Sequence, residues 1–368
     1  MLFTFIGGLG HLQPLVPVAR AAERAGHTIA VAGSGNLQSA ISAAGFVAFP
    51  TSEPRVAPRE PEQLVRVDPD KEDRDLRENF ARRGASRHAA AILELARTWR
   101  PDIVIRDEVD FGAAIAAERL GLPCVNVLVL AAGGFLRKSL VAEPLHELRG
   151  EYGLPADPEL AMLDGGLGLS PFPPLFRSPD APLPPGTFSF RPGDAAAPNP
   201  KNARPVVYVT LGTIFTVREL IVRILEGLRA LPVDVIATVG EDIDPTSVGP
   251  SSEHVWIERY IPQHEVLPRC DLVISHAGSG SVMGALAHGL PSVLMPLGAD
   301  QPHNARRCVA LGVAVELEPV TVTSEQIRAI VTSMLADDRY RRTAERMRDE
   351  INALPGPEAT VPLLEGLG

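Results

Sequence analysis

The sequence predicts an α/β protein made of two doubly wound, Rossmann-like domains, and three observations support this. The chain has 368 residues, more than one hydrophobic core usually supports. Short apolar segments alternate with amphipathic ones over residues 2–130, as in β-α-β units around a parallel sheet. The same alternation restarts at Val206, after a segment at 171–200 that contains ten prolines. The proline-rich segment is therefore interpreted as the linker between two α/β domains.

In the first half, the short apolar runs predict the strands Leu2–Ile6, Thr28–Ala32, Val47–Phe49, Ile103–Ile105 and Cys124–Leu130. Apolar residues at helical spacing predict the helices Leu12–Ala25, Asn36–Ala44, Arg83–Trp99 and Phe111–Leu120. Gly26 and Gly45 end the first two helices, because glycine commonly follows the last helical turn. Residues 51–80 are charged and contain prolines, so we expect a mobile loop there.

In the second half, the predicted strands are Val206–Thr210, Val233–Val239, Val255–Glu258, Leu272–Ser275 and Ser292–Met295. The predicted helices are Val217–Ala230, Gly280–Ala287, Asn304–Leu311, Ser324–Ala336, Tyr340–Ala353 and Val361–Leu367. We place the first domain at 1–185, the linker at 186–204, the second domain at 205–340 and a helical C-terminus at 341–368. Ligands of such sheets bind beyond the carboxyl ends of the strands, so we expect the site in a cleft between two facing domains.

Composition and charge exclude several classes of function. The net charge of −10 argues against a general affinity for nucleic acid or anionic membranes. The longest apolar run, Asn126–Leu136, is about half of the roughly 20 residues that span a bilayer, and Met1–Gly10 lacks the features of a signal peptide. Cys124, Cys270 and Cys308 are far apart, which predicts neither a disulfide framework nor a zinc site. A cytoplasmic protein without stable membrane insertion is expected.

The first motif that could carry chemistry is Gly7-Gly8-Leu9-Gly10-His11, between the first strand and the first helix. It is a poor dinucleotide fingerprint, because Gln13 stands at the third glycine position and no acid ends the second strand. His11 is the notable residue. A histidine at the mouth of a strand–helix turn can act as a general base, since a positive helix end favours the neutral imidazole. A helix-capping or core histidine is the alternative.

The second motif is Arg106-Asp107-Glu108-Val109-Asp110, directly after the predicted strand Ile103–Ile105. A carboxylate at a strand end could hold His11 in one tautomer and stabilise the imidazolium that forms when it takes a proton. Asp107 is the best candidate because it lies closest to the strand. The alternative role is an N-cap for the helix that begins at Phe111, which suits Asp110 better.

The third motif has four parts in order: Tyr260-Ile261-Pro262-Gln263, Ser275–Ser281, Gly289-Leu290-Pro291 and Gly298-Ala299-Asp300-Gln301. The small residues of Ser275–Ser281 leave backbone N–H groups at a helix N-terminus available to an anion. His276, Ser279 and Ser281 could add hydrogen bonds to a diphosphate. A kinase-like phosphate loop is excluded, because this motif contains no lysine and does not match the glycine pattern of such a loop.

These residues resemble the donor-binding signature of inverting nucleotide-sugar glycosyltransferases, especially the bacterial enzymes that glycosylate macrolides, aromatic polyketides and enediynes. The segment Phe5–Gly26 is similar to the first βα unit of that family. The spacing from Asp107 to Gly121 is also similar, and Val206–Thr213 resembles the start of its second domain. The resemblance implies the two-domain GT-B fold, with the acceptor in the N-terminal half, the donor in the C-terminal half and the terminal helix bracing the first domain.

The resemblance also implies the roles of individual residues. His11 would deprotonate an acceptor hydroxyl, and Asp107 would orient His11. The nucleobase would pack against Tyr260 and Ile261, and the sugar hydroxyls would meet Asp300 and Gln301. The donor diphosphate would be held by Thr213, His276, Gly278, Ser279, Gly280 and Ser281. The nucleotide sugar is a co-substrate, and we expect neither a metal ion nor a cofactor.

One position departs from the family. Relatives that use uridine donors often carry a glutamate eight positions after the phosphate-binding histidine, where this chain has Gly284. A missing carboxylate removes a partner for a ribose 2′-hydroxyl, so we expect a thymidine-diphosphate (deoxy)sugar as donor. The acceptor is expected to be a small-molecule aglycone, of an antibiotic or polyketide.

Three alternatives remain open on the same scaffold. They are a nucleotide-sugar epimerase, a transferase with a lipid-linked acceptor, and a non-catalytic homologue that activates a partner transferase. An activator should have lost its base or its phosphate motif, whereas this chain keeps both His11 and His276. The oligomeric state also stays open, a homodimer included.

Overall fold

The computed structural model describes residues 1–54, 63–164, 166–200, 202–212 and 217–367. Among these, the chain divides into two compact units. The N-terminal unit comprises 1–54, 69–194 and 354–367, and the C-terminal unit comprises 63–68 and 195–353. Of the terminal segment expected at 341–368, the part from Leu354 onward belongs to the N-terminal unit, and the preceding residues belong to the C-terminal unit.

Each unit contains one sheet whose strands all run parallel within the described residues. The strands are β1 Leu2–Thr4, β2 Ala30–Gly33, β3 Val47–Pro50, β4 Val104–Asp107, β5 Cys124–Val127, β6 Gly168–Ser170, β7 Thr187–Ser189, β8 Val206–Thr210, β9 Asp234–Thr238, β10 Val255–Glu258, β11 Leu272–Ser275, β12 Ser292–Leu294 and β13 Ala314–Glu316. The orders are β3-β2-β1-β4-β5-β6-β7 and β10-β9-β8-β11-β12-β13. Both are doubly wound orders, as predicted.

The helices are α1 Leu9–Leu12, α2 Val16–Arg24, α3 Gln38–Ala43, α4 Pro69–Arg74, α5 Ala85–Trp99, α6 Phe111–Leu120, α7 Lys138–Glu151, α8 Ala161–Asp164, α9 Arg218–Arg229, α10 Gln263–Val266, α11 Ser279–Ala287, α12 Gln301–Ala310, α13 Ser324–Ala336, α14 Asp338–Asn352 and α15 Val361–Glu365. A π-helical segment, Asp75–Gly84, joins α4 to α5. No helix in the described ranges is both long and apolar enough to cross a membrane.

The core of each unit covers both faces of its sheet. In β8, Val207 and Val209 pack into one apolar cluster, which includes residues of α9 and α13. Tyr208, between them in sequence, packs into a separate cluster with Val273 and Ala285. Because successive side chains of a strand point to opposite faces, this alternation places apolar residues on both sides of the sheet.

The first predicted helix, Leu12–Ala25, is divided in the structure. Helix α1 ends at Leu12 and α2 begins at Val16, with a turn between them. Pro14 lies in that turn and Pro17 in the first turn of α2. Proline has no backbone N–H and fits the start of a helix better than its interior, which explains the division.

The mobile loop predicted over 51–80 is wrong for its second half. Helix α4 begins at Pro69 and the π-helical segment continues it. Leu76 and Ala81 of that segment are buried and pack with residues of α7. The charges that favoured a loop instead pair along the exposed side, as in Lys71 Nζ to Asp75 Oδ2 at 2.8 Å and Arg82 Nε to Glu78 Oε2 at 3.0 Å. Tertiary packing of two apolar side chains therefore overrides the loop-like composition.

Two strands, β7 and β4, also differ from the prediction. Strand β7 lies within the residues 186–204 predicted as linker, and it extends the first sheet by pairing with β6. Strand β4 ends at Asp107, whereas the predicted strand ended at Ile105, so both Arg106 and Asp107 belong to the strand.

Candidate active site

The N-terminal unit brings together the ends of β1 and β4. These strands are parallel neighbours, with Thr4 opposite Arg106, so the chain leaves both at the same edge of the sheet. After β1 the chain passes through Gly7 into α1, which carries His11. After β4 it passes through Glu108 to Asp110 into α6. The pairing of two strands about a hundred residues apart therefore makes His11 and Asp107 neighbours.

His11 and Asp107 form an imidazole–carboxylate pair, with 3.2 Å between His11 Nδ1 and Asp107 Oδ2. The Asp107 side chain is fully buried, whereas that of His11 is 21% exposed. A buried carboxylate at Nδ1 favours the tautomer with its proton on Nδ1, which leaves the lone pair of the ring on Nε2. The pair thus has the arrangement that a general base requires.

Backbone groups hold the Asp107 carboxylate in place. Its Oδ2 accepts a hydrogen bond from the Ile6 N–H at 2.9 Å. Its Oδ1 accepts from the Val109 N–H at 2.6 Å and the Asp110 N–H at 2.8 Å. These three hydrogen bonds fix the orientation of the carboxylate.

Gly7 is required by the imidazole. Its φ is +110°, and a Cβ added there would lie 2.7 Å from His11 Cδ2 and 2.9 Å from His11 Nε2. Any side chain at this position would both strain the backbone and displace the ring. Gly10 differs, because a Cβ there would meet nothing within 4 Å. The glycine that opens the first motif therefore makes room for a side chain of the protein itself.

Phe80 is a neighbour of His11 that sequence reasoning did not assign. Its ring stacks on the imidazole, with 6.2 Å between centroids and 28° between planes. It belongs to the π-helical segment, inside the stretch predicted as a loop. π-helical turns often occur at functional sites. No signal in the sequence separates Phe80 from the other phenylalanines of the chain.

The other acids of the second motif have structural contacts. Asp110 caps α6, because its side chain accepts a hydrogen bond from the Ala113 N–H at 3.1 Å; the N-cap role suggested for it is confirmed. Glu108 Oε2 accepts from the N–H groups of Val129 and Leu130, each at 3.0 Å. Burial raises the pKa of Glu108, although Arg177 and these N–H groups oppose the shift. Glu108 thereby anchors the chain that leaves β5.

In the C-terminal unit, His276 follows β11 directly. Its ring lies close to two glycines. A Cβ on Gly278 would lie 2.5 Å from His276 Nε2, and one on Gly212 would lie 2.7 Å from it. The Nδ1 atom is buried and makes no hydrogen bond of normal geometry within the described part of the chain. Burial lowers the pKa of His276 to about 4, although a backbone interaction with Thr210 opposes the shift, so the ring is neutral at neutral pH.

The segment after His276 forms the start of α11. The N-cap is Gly278, and no side chain caps it. The Ser279 hydroxyl donates to Asp300 Oδ2 at 2.7 Å. The Asn304 amide donates to the same oxygen at 2.7 Å and to the Ala277 carbonyl at 3.0 Å. The proposed sugar-binding acid is therefore tied to the proposed phosphate-binding turn, and Asn304, which sequence reasoning did not single out, connects them.

The remaining predicted site residues occupy different environments. Tyr260 is exposed, whereas Ile261 is buried in an apolar cluster with Val266 and Leu267. Gln301 is buried, and its Oε1 accepts the Leu297 N–H at 2.7 Å. Thr213, predicted to hold the diphosphate, lies outside the described residues, and the ligand roles of the other residues stay predictions.

Gly284 stands on α11 opposite Gln263. A Cβ at this position would lie 2.9 Å from Gln263 Oε1. The Gln263 amide also approaches Ser281, with 3.4 Å between Nε2 and Oγ. The flexible end of the Gln263 side chain would therefore have to move to admit a side chain at position 284. Among the described residues, no group of three histidine, cysteine or acidic side chains is placed to hold a metal ion.

Two doubly wound units, each with a parallel sheet, are the architecture of the GT-B fold. The solved structure of the calicheamicin glycosyltransferase CalG4 supports this, with a TM-score of 0.80 over 100% of this chain and 97% of that one, at 24% identity. The glycosyltransferase VinC, solved in complex with dTDP, has a TM-score of 0.76 at 25% identity, over 100% and 99% of the two chains.

The chain belongs to the family described as erythromycin biosynthesis protein CIII-like. The model of the N-terminal domain of that family matches residues 20–180, and the model of its C-terminal domain matches residues 222–367. The L-demethylnoviosyl transferase of Streptomyces niveus is 30% identical over 97% of this chain and 95% of its own length. The resemblance inferred from the sequence motifs is confirmed, and the protein is a glycosyltransferase.

Proposed function

We propose that this glycosyltransferase transfers a deoxysugar from a thymidine diphosphate donor to a hydroxyl of a small natural-product aglycone, with inversion at the anomeric carbon. The observation that carries this proposal is the His11–Asp107 pair, with 3.2 Å between Nδ1 and the fully buried carboxylate. The names of the relatives support sugar transfer of this kind, since one is an L-demethylnoviosyl transferase, named for the group it transfers, and another is the calicheamicin glycosyltransferase.

The proposed reaction is a direct displacement. His11 Nε2 takes the proton of the acceptor hydroxyl while the acceptor oxygen bonds to the anomeric carbon. The bond from that carbon to the diphosphate breaks, and the nucleoside diphosphate leaves with the electron pair. Asp107 stabilises the imidazolium that results, because its carboxylate lies beside Nδ1. One base and one displacement invert the anomeric configuration.

The leaving diphosphate is assigned to the turn at His276 and the N-terminus of α11. Backbone N–H groups at a helix N-terminus stabilise negative charge, and Gly278 leaves this end without a side-chain cap. His276 is neutral at neutral pH, so its contribution is a hydrogen bond rather than a positive charge. No metal ion is required in this proposal.

The preference for thymidine over uridine rests on Gly284. This residue has no side chain, and a Cβ there would lie 2.9 Å from the flexible end of Gln263, at Oε1. The site therefore lacks an acidic partner for a 2′-hydroxyl at that position. Calorimetric titration should give tighter binding of thymidine diphosphate than of uridine diphosphate, and equal affinities would refute the preference.

His11→Ala tests the catalytic proposal. We expect it to abolish transfer to an alcohol acceptor while the affinity for nucleoside diphosphate stays unchanged, because His276 and α11 belong to the other unit. Comparable turnover in His11→Ala would refute the base assignment. NMR of the product tests inversion through the anomeric coupling, and incubation without acceptor tests for epimerisation of the donor.

A further inference from the structure

A second imidazole–carboxylate pair takes its carboxylate from the same segment as the first, between β4 and α6. His88, on α5, has its Nδ1 3.1 Å from Asp110 Oδ2 and its Nε2 3.0 Å from Thr51 Oγ1. His88 is 1% exposed and Asp110 is fully buried. Neither residue takes part in the proposed reaction, and burying an ionisable pair is costly unless its members are hydrogen-bonded, as both are here.

Asp110 connects this pair to the candidate base. Its backbone N–H donates to Asp107 Oδ1 at 2.8 Å, and its side chain caps α6 through the Ala113 N–H. Asp107 in turn lies beside His11. The position of the Asp110 backbone therefore determines one of the hydrogen bonds that orient the Asp107 carboxylate.

Close helix packing fixes His88 in this position. A Cβ on Gly112, in the first turn of α6, would lie 2.3 Å from the Ala85 carbonyl oxygen and 2.7 Å from His88 Cβ. Only glycine permits this approach of α5 to α6. Burial disfavours ionisation of Asp110, but the charge of His88 and its hydrogen bond outweigh this and lower the pKa of the Asp110 carboxyl.

We propose that His88 is a positioning residue for proton transfer: it holds Asp110, whose backbone N–H keeps the Asp107 carboxylate where it orients His11. This proposal rests on the proposed catalytic role of His11. The competing interpretation is that His88 stabilises the fold without any effect on the geometry of the reaction.

Two substitutions of His88 separate its two hydrogen bonds. The amide nitrogen of asparagine is the same number of bonds from Cα as Nδ1, so His88→Asn keeps a donor toward Asp110 and loses the contact with Thr51. The amide nitrogen of glutamine matches Nε2, so His88→Gln keeps the Thr51 contact and loses that with Asp110. Both variants remove the ring and are expected to lower stability similarly.

We expect His88→Gln to lower kcat by about tenfold or more, because small misplacements of a catalytic group cost this much. The KM for the donor and the affinity for nucleoside diphosphate should stay unchanged. His88→Asn and Thr51→Val should keep kcat within about threefold of the wild type. The control for stability is Ile92→Val, a loss of one methyl group at a buried position on the same helix.

Equal kcat in His88→Asn and His88→Gln, or full kcat in His88→Gln, would overturn the proposal. The proposal would also be overturned if Thr51→Val and Ile92→Val lowered kcat as much as His88→Gln does. Such a result would show that kcat falls with stability in general. If His88→Gln does not fold, Asp110→Asn tests the same hydrogen bond with the same expected loss. Retained transfer in His11→Ala would instead refute the proposed function, so the two failures are distinguishable.

Discussion

Replacing Asp107 with asparagine exchanges one carboxylate oxygen for an NH2 group in a site where both oxygens accept hydrogen bonds. If the NH2 replaces Oδ1, it faces the N–H groups of Val109 and Asp110. If it replaces Oδ2, it faces the Ile6 N–H and His11 Nδ1. The second orientation is favoured, because it leaves one buried N–H unsatisfied rather than two. The expected loss of stability is about 1–3 kcal/mol.

In that orientation the amide donates to His11 Nδ1, so the imidazole must carry its proton on Nε2. Nε2 then cannot accept the proton of the acceptor hydroxyl, and the imidazolium loses its carboxylate. The equivalent change in other histidine–aspartate pairs costs about 10⁴-fold in kcat, and we expect a loss of about 10³–10⁴-fold. Nucleotide affinity should not change, since the donor-binding turn belongs to the other unit.

The assay is the steady-state rate of nucleoside diphosphate release in the presence of acceptor, with nucleotide affinity measured by calorimetry. ¹⁵N NMR of the His11 ring reports which nitrogen carries the proton. Asp180→Asn, an exposed substitution in the same unit, is the matched control. A kcat within about tenfold of the wild type in Asp107→Asn, with the protein folded, would refute the tautomer argument.

Three further predictions concern the glycine turn, the phosphate turn and metal dependence. Gly7→Ala should lower kcat and cost about 1–2 kcal/mol of stability, because φ is +110° and the new methyl collides with His11; Gly10→Ala, in open space, should be tolerated, and equal behaviour of the two would contradict the steric explanation. In the folded protein the pKa of His276 is about 4, whereas in the unfolded chain it is 6.5. Below pH 6.5 the unfolded state therefore binds a proton that the folded state does not bind, so the free energy of unfolding should fall with decreasing pH. This loss of stability is about 2 kcal/mol between pH 7 and pH 5. Denaturant titration of His276→Gln should show a smaller pH dependence than the wild type. An unchanged pH dependence would contradict the lowered pKa of His276. Transfer should be unaffected by EDTA, because the α11 N-terminus stabilises the leaving group; loss of activity that Mg²⁺ restores would contradict this.

Much of the fold was predictable because both sheets are parallel and covered on both faces. Their strands are short apolar runs, which are visible in the sequence whatever their partners. Helix α6, with Asp110 before it and Gly121 after it, was predicted at its observed bounds, as were β10, β11 and α13. Local signals mark the ends of the two helices: Asp110 and Thr323 cap the starts of α6 and α13, and Gly121 follows α6.

The elements that sequence reasoning missed depend on distant contacts. Helix α7 contains Pro144 and charged residues, which concealed its apolar side. The π-helical segment has a charged composition and was predicted as a loop. Glu143 and Glu147 of α7 pair with Arg82 of the π-helical segment, about sixty residues away in sequence. The local sequence of neither α7 nor the π-helical segment predicts a helix, because each is stabilised by contacts with the other.

The sequence by itself determined the class of fold and the chemistry of each candidate residue. A histidine after the first strand, an acid at the end of the fourth and a glycine-serine turn after the eleventh follow from local pattern alone. The tertiary structure decided which of these side chains meet. Parallel pairing of β1 with β4 places His11 against Asp107, and helix packing brings Phe80 to the imidazole and His88 to Asp110. Contacts between residues far apart in the chain depend on strand order and helix packing, which no local pattern encodes.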